Sequence, residues 1–385
     1  MIKENPYRYK TGTSRTETPL HKTFIILLEI IRLLLAAVFI FSGFVKAIDP
    51  LGSTYKFEDY LNAFGGFFGQ LTFMAFPAAI ALSTLELAIG LCFLLKIKLK
   101  TTSLAALLFM LFMLPLTLYV ALANPVTDCG CFGDALIISN WATFYKNIVI
   151  TFLIVILLIF NGKLRRIFLP AIEWILLLLF IASGVALSVY SYSHLPMIDF
   201  RPYKVGVNIP AAMQVPPGKP TDKYETTFIY SKDGVSREFT LENYPKNDST
   251  WTFVEQKSTL IEKGYEPPIH NFTIVDANQI DITDEVIHHK GKVHLLIMYD
   301  VSKASEKGVA KTEELYRQAK ADNELFYALT ASPDEEIEKF AKQHGVTYPF
   351  CKTDPITLKT IIRANPGLMV IENGTIKEKR NWRDF

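Results

Sequence analysis

Apolar residues fall along this chain in two rhythms. Up to about residue 190 they form long unbroken runs. Beyond that they form short runs, broken by charged and turn-forming residues. A helix that crosses a bilayer needs about 20 mostly apolar residues. Five segments approach or exceed that length: Phe24–Ile48, Thr72–Leu95, Ser103–Ala123, Phe144–Phe160 and Ile167–Tyr190. The first is too long for a signal-peptide core and no small-residue cleavage site follows it, so it reads as a retained span. A soluble protein does not bury five such helices in succession.

The second rhythm is that of a soluble α/β fold. Residues 195–262 open with Pro196, Pro202, Pro210, Pro216, Pro217 and Pro220, a linker composition. Tyr224–Tyr230 and Ser236–Leu241 then flank Asp233-Gly234, a hairpin signal, and residues 245–262 read as a turn and a short helix. From Gly264 strands and helices alternate. Phe272–Val275 reads as a strand and Lys292–Tyr299 as a buried central strand. Val309–Ala321 has helical periodicity, and Glu324–Thr330 is strand-like. A helix follows Ser332-Pro333-Asp334-Glu335, and Asp354–Ile362 is a further helix. Gly367–Ile371 and Thr375–Lys379 are strands joined at Asn373-Gly374.

Charge sharpens this division. Of the 385 residues, positions 1–194 hold 15 Lys+Arg and 10 Asp+Glu, and positions 195–385 hold 25 and 28. A net charge of +2 gives no electrostatic footprint for nucleic acid, so the expected environment is the lipid bilayer. Lys3, Arg8, Lys10, Arg15 and Lys22 precede the first span. Lys96, Lys98 and Lys100 follow the second, and Lys163, Arg165 and Arg166 follow the fourth. The alternate loops are poorer, with Lys46 and Lys56 in one and Lys146 in the other. The positive-inside rule then predicts a cytoplasmic N-terminus and, after five spans, a C-terminal half on the far side. In a bacterium that describes a multi-pass inner-membrane protein with a periplasmic C-terminal domain.

Charged residues within spans face the bundle interior. Arg32 lies eight residues in from the cytoplasmic end of the first span and Glu86 nine residues in from that end of the second. At ~1.5 Å per residue their depths match. The expectation is an Arg32–Glu86 contact, either a structural ion pair or the polar lining of a cofactor site that would suit a quinone. Between the third and fourth spans runs Asp128-Cys129-Gly130-Cys131-Phe132-Gly133-Asp134. Two cysteines so close at an oxidising membrane face suggest a redox pair, with Gly130 relaxing the tight ring. A strained bridge of this kind is labile and oxidising, and Lys46 is placed to favour a thiolate. A structural disulfide is the alternative. A metal site is the weakest reading, because the loop has no His and only two carboxylates.

Arg32, the run Phe41-Ser42-Gly43-Phe44-Val45-Lys46 with Asp49-Pro50, Glu86 with Gly90, and Cys129-Gly130-Cys131-Phe132-Gly133 together resemble the DoxX/MauE group of membrane proteins, and the cysteine loop resembles methylamine-utilisation MauE in particular. The resemblance covers about residues 24–161. It implies a four-helix membrane bundle linked to disulfide formation or to maturation of an envelope protein. It leaves a cytoplasmic tail (1–23), a fifth helix (162–194), the linker with its hairpin (195–262) and a last domain (263–385). That last domain resembles the thioredoxin-like fold of TlpA and peroxiredoxin type. The resemblance places Ser302 and Ser305 where a redox member has Cys-x-x-Cys, at the start of the helix after the central strand. It places Pro366 at the family's cis-proline. Two serines cannot form a disulfide, so this domain is read as degenerate. Cys351 and Cys92 read as small buried hydrophobes.

The fold class is therefore a five-span α-helical membrane bundle plus a soluble α/β thioredoxin-like domain. The expected function is an envelope redox or maturation component. Cys129 and Cys131 would exchange disulfides with an envelope client or a thioredoxin-like partner. A non-catalytic scaffold with a structural Cys129–Cys131 bridge is the alternative.

Overall fold

The computed structural model describes residues 19–126, 129–221, 223–246, 248–262 and 264–385. The tail residues Lys3, Arg8, Lys10 and Arg15, and Asp128 of the cysteine loop, lie outside the described residues. The chain divides after Phe200 into two compact units.

The first unit is helical. It comprises α1 (Pro19–Ile48), α2 (Pro50–Phe64), the single turn α3 (Gly66–Gly69), α4 (Ala75–Leu95), α5 (Leu99–Ala123), α6 (Asn140–Phe160) and α7 (Pro170–Ser193). Among the described residues, five stretches are long and apolar enough to cross a membrane: Pro19–Ile48, Thr72–Leu95, Leu99–Ala123, Asn140–Lys163 and Pro170–Ser193. Their outward faces carry large apolar side chains such as Leu108, Phe112, Leu122 and Ile159, all exposed. So much contiguous exposed hydrocarbon suits lipid and not water. Leu28, Leu35, Phe39, Phe93, Met110, Ile154 and Leu157 fill the bundle interior.

Helices α1 and α4 approach most closely at two glycines. A Cβ on Gly43 would stand 2.3 Å from the Leu87 backbone nitrogen, and one on Gly90 would stand 2.5 Å from that of Ile40. This register decides which charges meet. It sets Glu86 level with the turn between Ser42 and Lys46, roughly 18 Å along the axis from Arg32. The expected Arg32–Glu86 contact is therefore corrected. Arg32 Nε pairs with Glu29 at 2.8 Å, and its Nη1 donates to the carbonyls of Phe93 and Leu94. Glu86 pairs with Lys46 at 2.8 Å. Counting inward from hydropathy boundaries assumed flush helix ends, whereas α1 begins well before the level of the C-terminal end of α4. No joint Arg32–Glu86 lining for a quinone forms.

The second unit begins with α8 (Ile209–Met213) and a sheet of β1 (Lys223–Lys232), β2 (Val235–Thr240) and β3 (Thr252–Glu262) in the order β2-β1-β3. Asp233 and Gly234 have φ of 52° and 78°, the left-handed pair that closes a two-residue hairpin. Two expectations fail in this region. The helix expected within 245–262 is β3, antiparallel to β1, because pairing along β1 gives this stretch backbone partners that its local sequence does not announce. The proline-rich stretch is not wholly linker. Arg201, Tyr203 and Ile209 are buried, Arg201 Nη1 donates to the Thr360 carbonyl, and Asn208 bridges Thr375.

The remaining elements are α9 (Thr283–Ile287), β4 (Lys292–Ile297), α10 (Glu306–Ala321), β5 (Leu325–Thr330), α11 (Asp334–His344), β6 (Phe350–Lys352), α12 (Pro355–Ile361), β7 (Gly367–Glu372) and β8 (Thr375–Asn381). The sheet order is β6-β5-β4-β7-β8, with β4, β5 and β6 parallel and β7 and β8 antiparallel. Phe272–Val275 forms no ladder strand, only the isolated bridges of Val275. A helix follows the central strand, and a terminal hairpin is entered through the cis Asn365–Pro366 bond. The topology is thioredoxin-like. Its core gathers Leu296, Met298, Val309, Phe326, Tyr348 and Leu368.

The close α1–α4 packing is testable. Gly43→Ala and Gly90→Ala should each destabilise the detergent-solubilised protein by about 1–3 kcal/mol. Gly69→Ala, where a Cβ would meet nothing within 4 Å, should leave the melting temperature unchanged. Equal melting of all three variants would mean that the helices are not in this contact.

Candidate functional site: a dithiol above a buried ion pair

The loop from α5 to α6 is anchored at its base by Asn140, whose Nδ2 donates to Asn124 Oδ1 at 2.8 Å and to the Val126 carbonyl at 3.1 Å. Gly130 and Gly133 take positive φ of 65° and 52°. The Gly133 N–H closes the turn onto the Gly130 carbonyl at 3.0 Å. This chain reversal brings the Cys129 and Cys131 sulfurs to 3.0 Å, as thiols. Phe132 is buried against Phe41, with ring centroids 5.4 Å apart, and so pins the loop to α1.

Beneath the loop lies a polar network inside the bundle. Lys46 and Glu86 are 8 % and 3 % exposed. Lys46 Nζ donates to both Glu86 oxygens, at 2.8 and 2.9 Å, and to Ser42 Oγ at 3.1 Å. Ser42 Oγ is 2.7 Å from Glu86 Oε2 and 2.7 Å from the Cys131 carbonyl. A hydroxyl carries one proton, so Ser42 donates to only one of these acceptors at a time. It therefore couples the carboxylate to the loop backbone. From α2, Tyr60 donates its hydroxyl to the Cys129 carbonyl at 3.0 Å. Lys146 on α6 sits 4.1 Å above the Phe132 ring. A cavity of about 40 Å³ is lined by Ser42, Lys46, Glu86, Cys131 and Lys146 on its polar side and by residues such as Phe109 and Met113 on its apolar side. That is room for a water molecule or two.

The two thiols are electrostatically unlike. The hydrogen bond from Cys129 stabilises the Cys131 thiolate. Burial opposes this, and the nearby ammonium groups of Lys146 and Lys46 add to it, so the Cys131 pKa is lowered below the ordinary thiol range. Cys129 moves the other way, because it is the donor to that thiolate and is itself desolvated. Either sulfur can donate across this contact, and the cations near Cys131 favour the arrangement with the proton on Cys129.

The structure brings together Cys129, Cys131, Lys46 and Glu86, and leaves Arg32 apart with Glu29. Ser42, Tyr60 and Lys146 were not singled out as site residues. Lys146 stood in the sequence only as a weak orientation signal, and nothing local marks Tyr60 as a neighbour of Cys129.

In the second unit the helix after the central strand starts at Glu306, with Ser305 as its N-cap residue. Ser305 N donates to the Asn365 carbonyl beside the cis bond, at 2.9 Å. Ser302 is not at the helix start. It lies in a preceding turn, with its hydroxyl on Asp300 Oδ1 at 2.6 Å. The expected placement is therefore corrected by three residues, because Asp300 opens a short turn of its own before the helix. Three positions past Ser305 stands Gly308, where a Cβ would fall 2.9 Å from Pro366 Cγ. Neither arrangement contains sulfur. Cys351 is buried on β6, and desolvation pushes its thiol up to about 11.

These features define a class: a helical membrane protein with a dithiol at one end of its bundle, continued by a thioredoxin-like domain without a thiol pair. Residues 25–160 match the family described as methylamine utilisation protein MauE, and the membrane part is MauE-like. Residues 224–263 match a domain of unknown function, DUF8463. No curated protein matches the chain. Among solved structures, a Bacteroides thetaiotaomicron chain described as a candidate protein disulfide isomerase is 19% identical. The match covers 29% of this chain and 76% of that one, with a TM-score of 0.24.

The asymmetry of the thiols predicts a selective reaction. In the folded, reduced protein, iodoacetamide should label Cys131 first, with a pH midpoint below the ordinary thiol range. Cys129→Ala removes the hydrogen-bond donor, and Lys146→Gln removes a cation. Each should raise that midpoint. Cys351 should react only after unfolding. Peptide mapping by mass spectrometry reads all three, and first labelling at Cys129 would contradict the assignment.

Proposed function

We propose that this protein is a membrane component of an envelope disulfide-exchange or protein-maturation system, with Cys129 and Cys131 as its redox pair. The observation that carries the reading is the facing of the two sulfurs at 3.0 Å, with Cys131 favouring the thiolate. The MauE match over the helices that hold the pair supports it.

The exchange needs a partner that bears a disulfide. The Cys131 thiolate attacks one partner sulfur, forming a mixed disulfide and releasing the other partner sulfur as thiolate. Cys129 then loses its proton and attacks Cys131 Sγ. The Cys129–Cys131 bond forms, and the second partner sulfur leaves. Two electrons pass to the partner, which ends as a dithiol, and the reverse sequence oxidises a client. Lys46 and Lys146 stabilise the thiolate. Glu86 is proposed as the proton acceptor for Cys129, through Ser42 and the water-sized cavity. The thioredoxin-like domain, with serine at the helix cap, is proposed to bind the client without exchanging thiols.

Thiol trapping in living cells tests this reading. Cys129→Ser keeps the attacking thiol but not the resolving one, so it should accumulate a mixed disulfide through Cys131, whereas Cys131→Ser should not. A pair that stays oxidised through a reducing chase, with no trapped adduct, would favour the structural bridge of a scaffold protein.

The orientation is part of the proposal. The basic loops at Lys96–Lys100 and Lys163–Arg166 are placed in the cytoplasm, and the dithiol and the second unit on the oxidising side. A reporter active only outside the cytoplasm should work when fused after Phe385 and stay silent after Lys98. The opposite pattern would place the thiols in a reducing compartment and remove the redox reading with them.

A further inference from the structure

The end of the bundle opposite the cysteines carries a second concave site, and it takes no part in the thiol chemistry. A cleft of about 270 Å³ lies where α5 begins and α6 ends, lined by Lys96, Leu99, Lys100, Asn161, Arg165 and Arg166 among others, with no acidic residue in its lining. Lys96 is already committed to Glu29. Lys100, Arg165 and Arg166 are exposed, and no carboxylate lies within ion-pair distance of them among the described residues. Three uncompensated cations in one concavity repel one another, and an anion relieves that repulsion.

The backbone adds to this preference. Leu99 and Lys100 are the first two residues of α5. The cap residue Lys98 contributes no side-chain hydrogen bond to them. The first N–H groups of a helix have no partner within it, and with the helix dipole they attract anions. The level of the cleft is also informative. Lys98 Nζ stands 3.8 Å from the centre of the Trp174 ring, an aromatic–cation pair of the kind that sits at a membrane–water boundary. The cleft therefore lies at headgroup depth, between the ends of two membrane-length helices.

We infer that this cleft binds a phosphate ester, with Lys100, Arg165, Arg166 and the start of α5 as its ligands. At this depth the expected source is the headgroup of an anionic phospholipid, with a water-soluble phosphate ester as the other source of the same chemistry.

The test uses the full-length protein in delipidated detergent micelles and reads its thermal unfolding midpoint. Phosphatidylglycerol, phosphatidylcholine and glycerol 1-phosphate are added in parallel. A ligand that binds only the folded state raises the midpoint by mass action. The wild type should rise by several degrees with phosphatidylglycerol and not with phosphatidylcholine. The triple variant Lys100→Gln, Arg165→Gln, Arg166→Gln should lose more than half of that rise. A charge-matched control, Lys290→Gln, Lys307→Gln, Lys339→Gln, should keep it. Circular dichroism before lipid addition identifies any variant that has failed to fold. In that case Lys100→Gln alone, carrying a partial loss, replaces the triple variant. An equal rise with glycerol 1-phosphate, again lost in the variant, would keep the site and assign it to the soluble ester. An equal rise in wild type and variant, or no rise with any anion, would overturn the inference.

Discussion

The pairing of Lys46 with Glu86 governs the first unit. Each charge sits almost out of reach of solvent, and neither would be tolerated in that position without the other. Removing one partner of such a pair costs several kcal/mol, about 3–5 in typical cases, because the other is left buried and uncompensated. The pair can form only because α1 and α4 come close enough at Gly43 and Gly90 for a lysine on one to reach a glutamate on the other. Ser42, one turn from Lys46, passes the consequence upward to the Cys131 carbonyl. The position of the cysteine loop is thus tied to the register of two helices by a chain of four residues.

The thiol pair and the thioredoxin-like architecture are separated in this molecule. The helix that follows the central strand begins beside the cis Asn365–Pro366 bond, but a serine stands at its N-cap position and a glycine three positions later. The two thiols stand instead in the loop between α5 and α6, where the hydrogen bond with Cys129, and after it the ammonium groups of Lys146 and Lys46, favour a Cys131 thiolate. A helix dipole and nearby cations are two of the settings that make a thiol reactive. This chain keeps the scaffold of the first and places its thiols at the second.

Much of this was legible in the sequence, for identifiable reasons. The spans were legible because hydropathy over 20 residues is a strong signal. The β1–β2 turn was legible because Asp233-Gly234 suits a left-handed pair, and the cis bond at Pro366 was expected from the resemblance to the thioredoxin-like family. Partnerships set at a distance were not. Glu86 was given the wrong partner because helix offset is a packing property, fixed here by two glycines whose role appears only once the helices are side by side. The strand β3 read as a helix because its pairing with β1 is non-local. Residues 201–213 read as linker because prolines announce extended chain whether or not that chain packs. Tyr60 and Lys146 were missed because only the folded loop makes them neighbours of the cysteines.

The odd number of membrane-length helices has a consequence for biogenesis. The two ends of such a bundle lie on opposite faces of a bilayer, so in the proposed orientation all of the chain beyond Ser193 is carried across the membrane during synthesis. It travels as an extended polypeptide. The parallel ladder of β4, β5 and β6, and the long-range closure of Asn208 on Thr375, can therefore form only after export is complete. Parallel pairing is slow to nucleate, because the intervening chain must be ordered first. In the proposed orientation Cys351, sheltered in the finished fold, is exposed to an oxidising compartment during that interval. It is the only cysteine beyond Ser193, so no second thiol on the exported segment can trap it in an intrachain bridge.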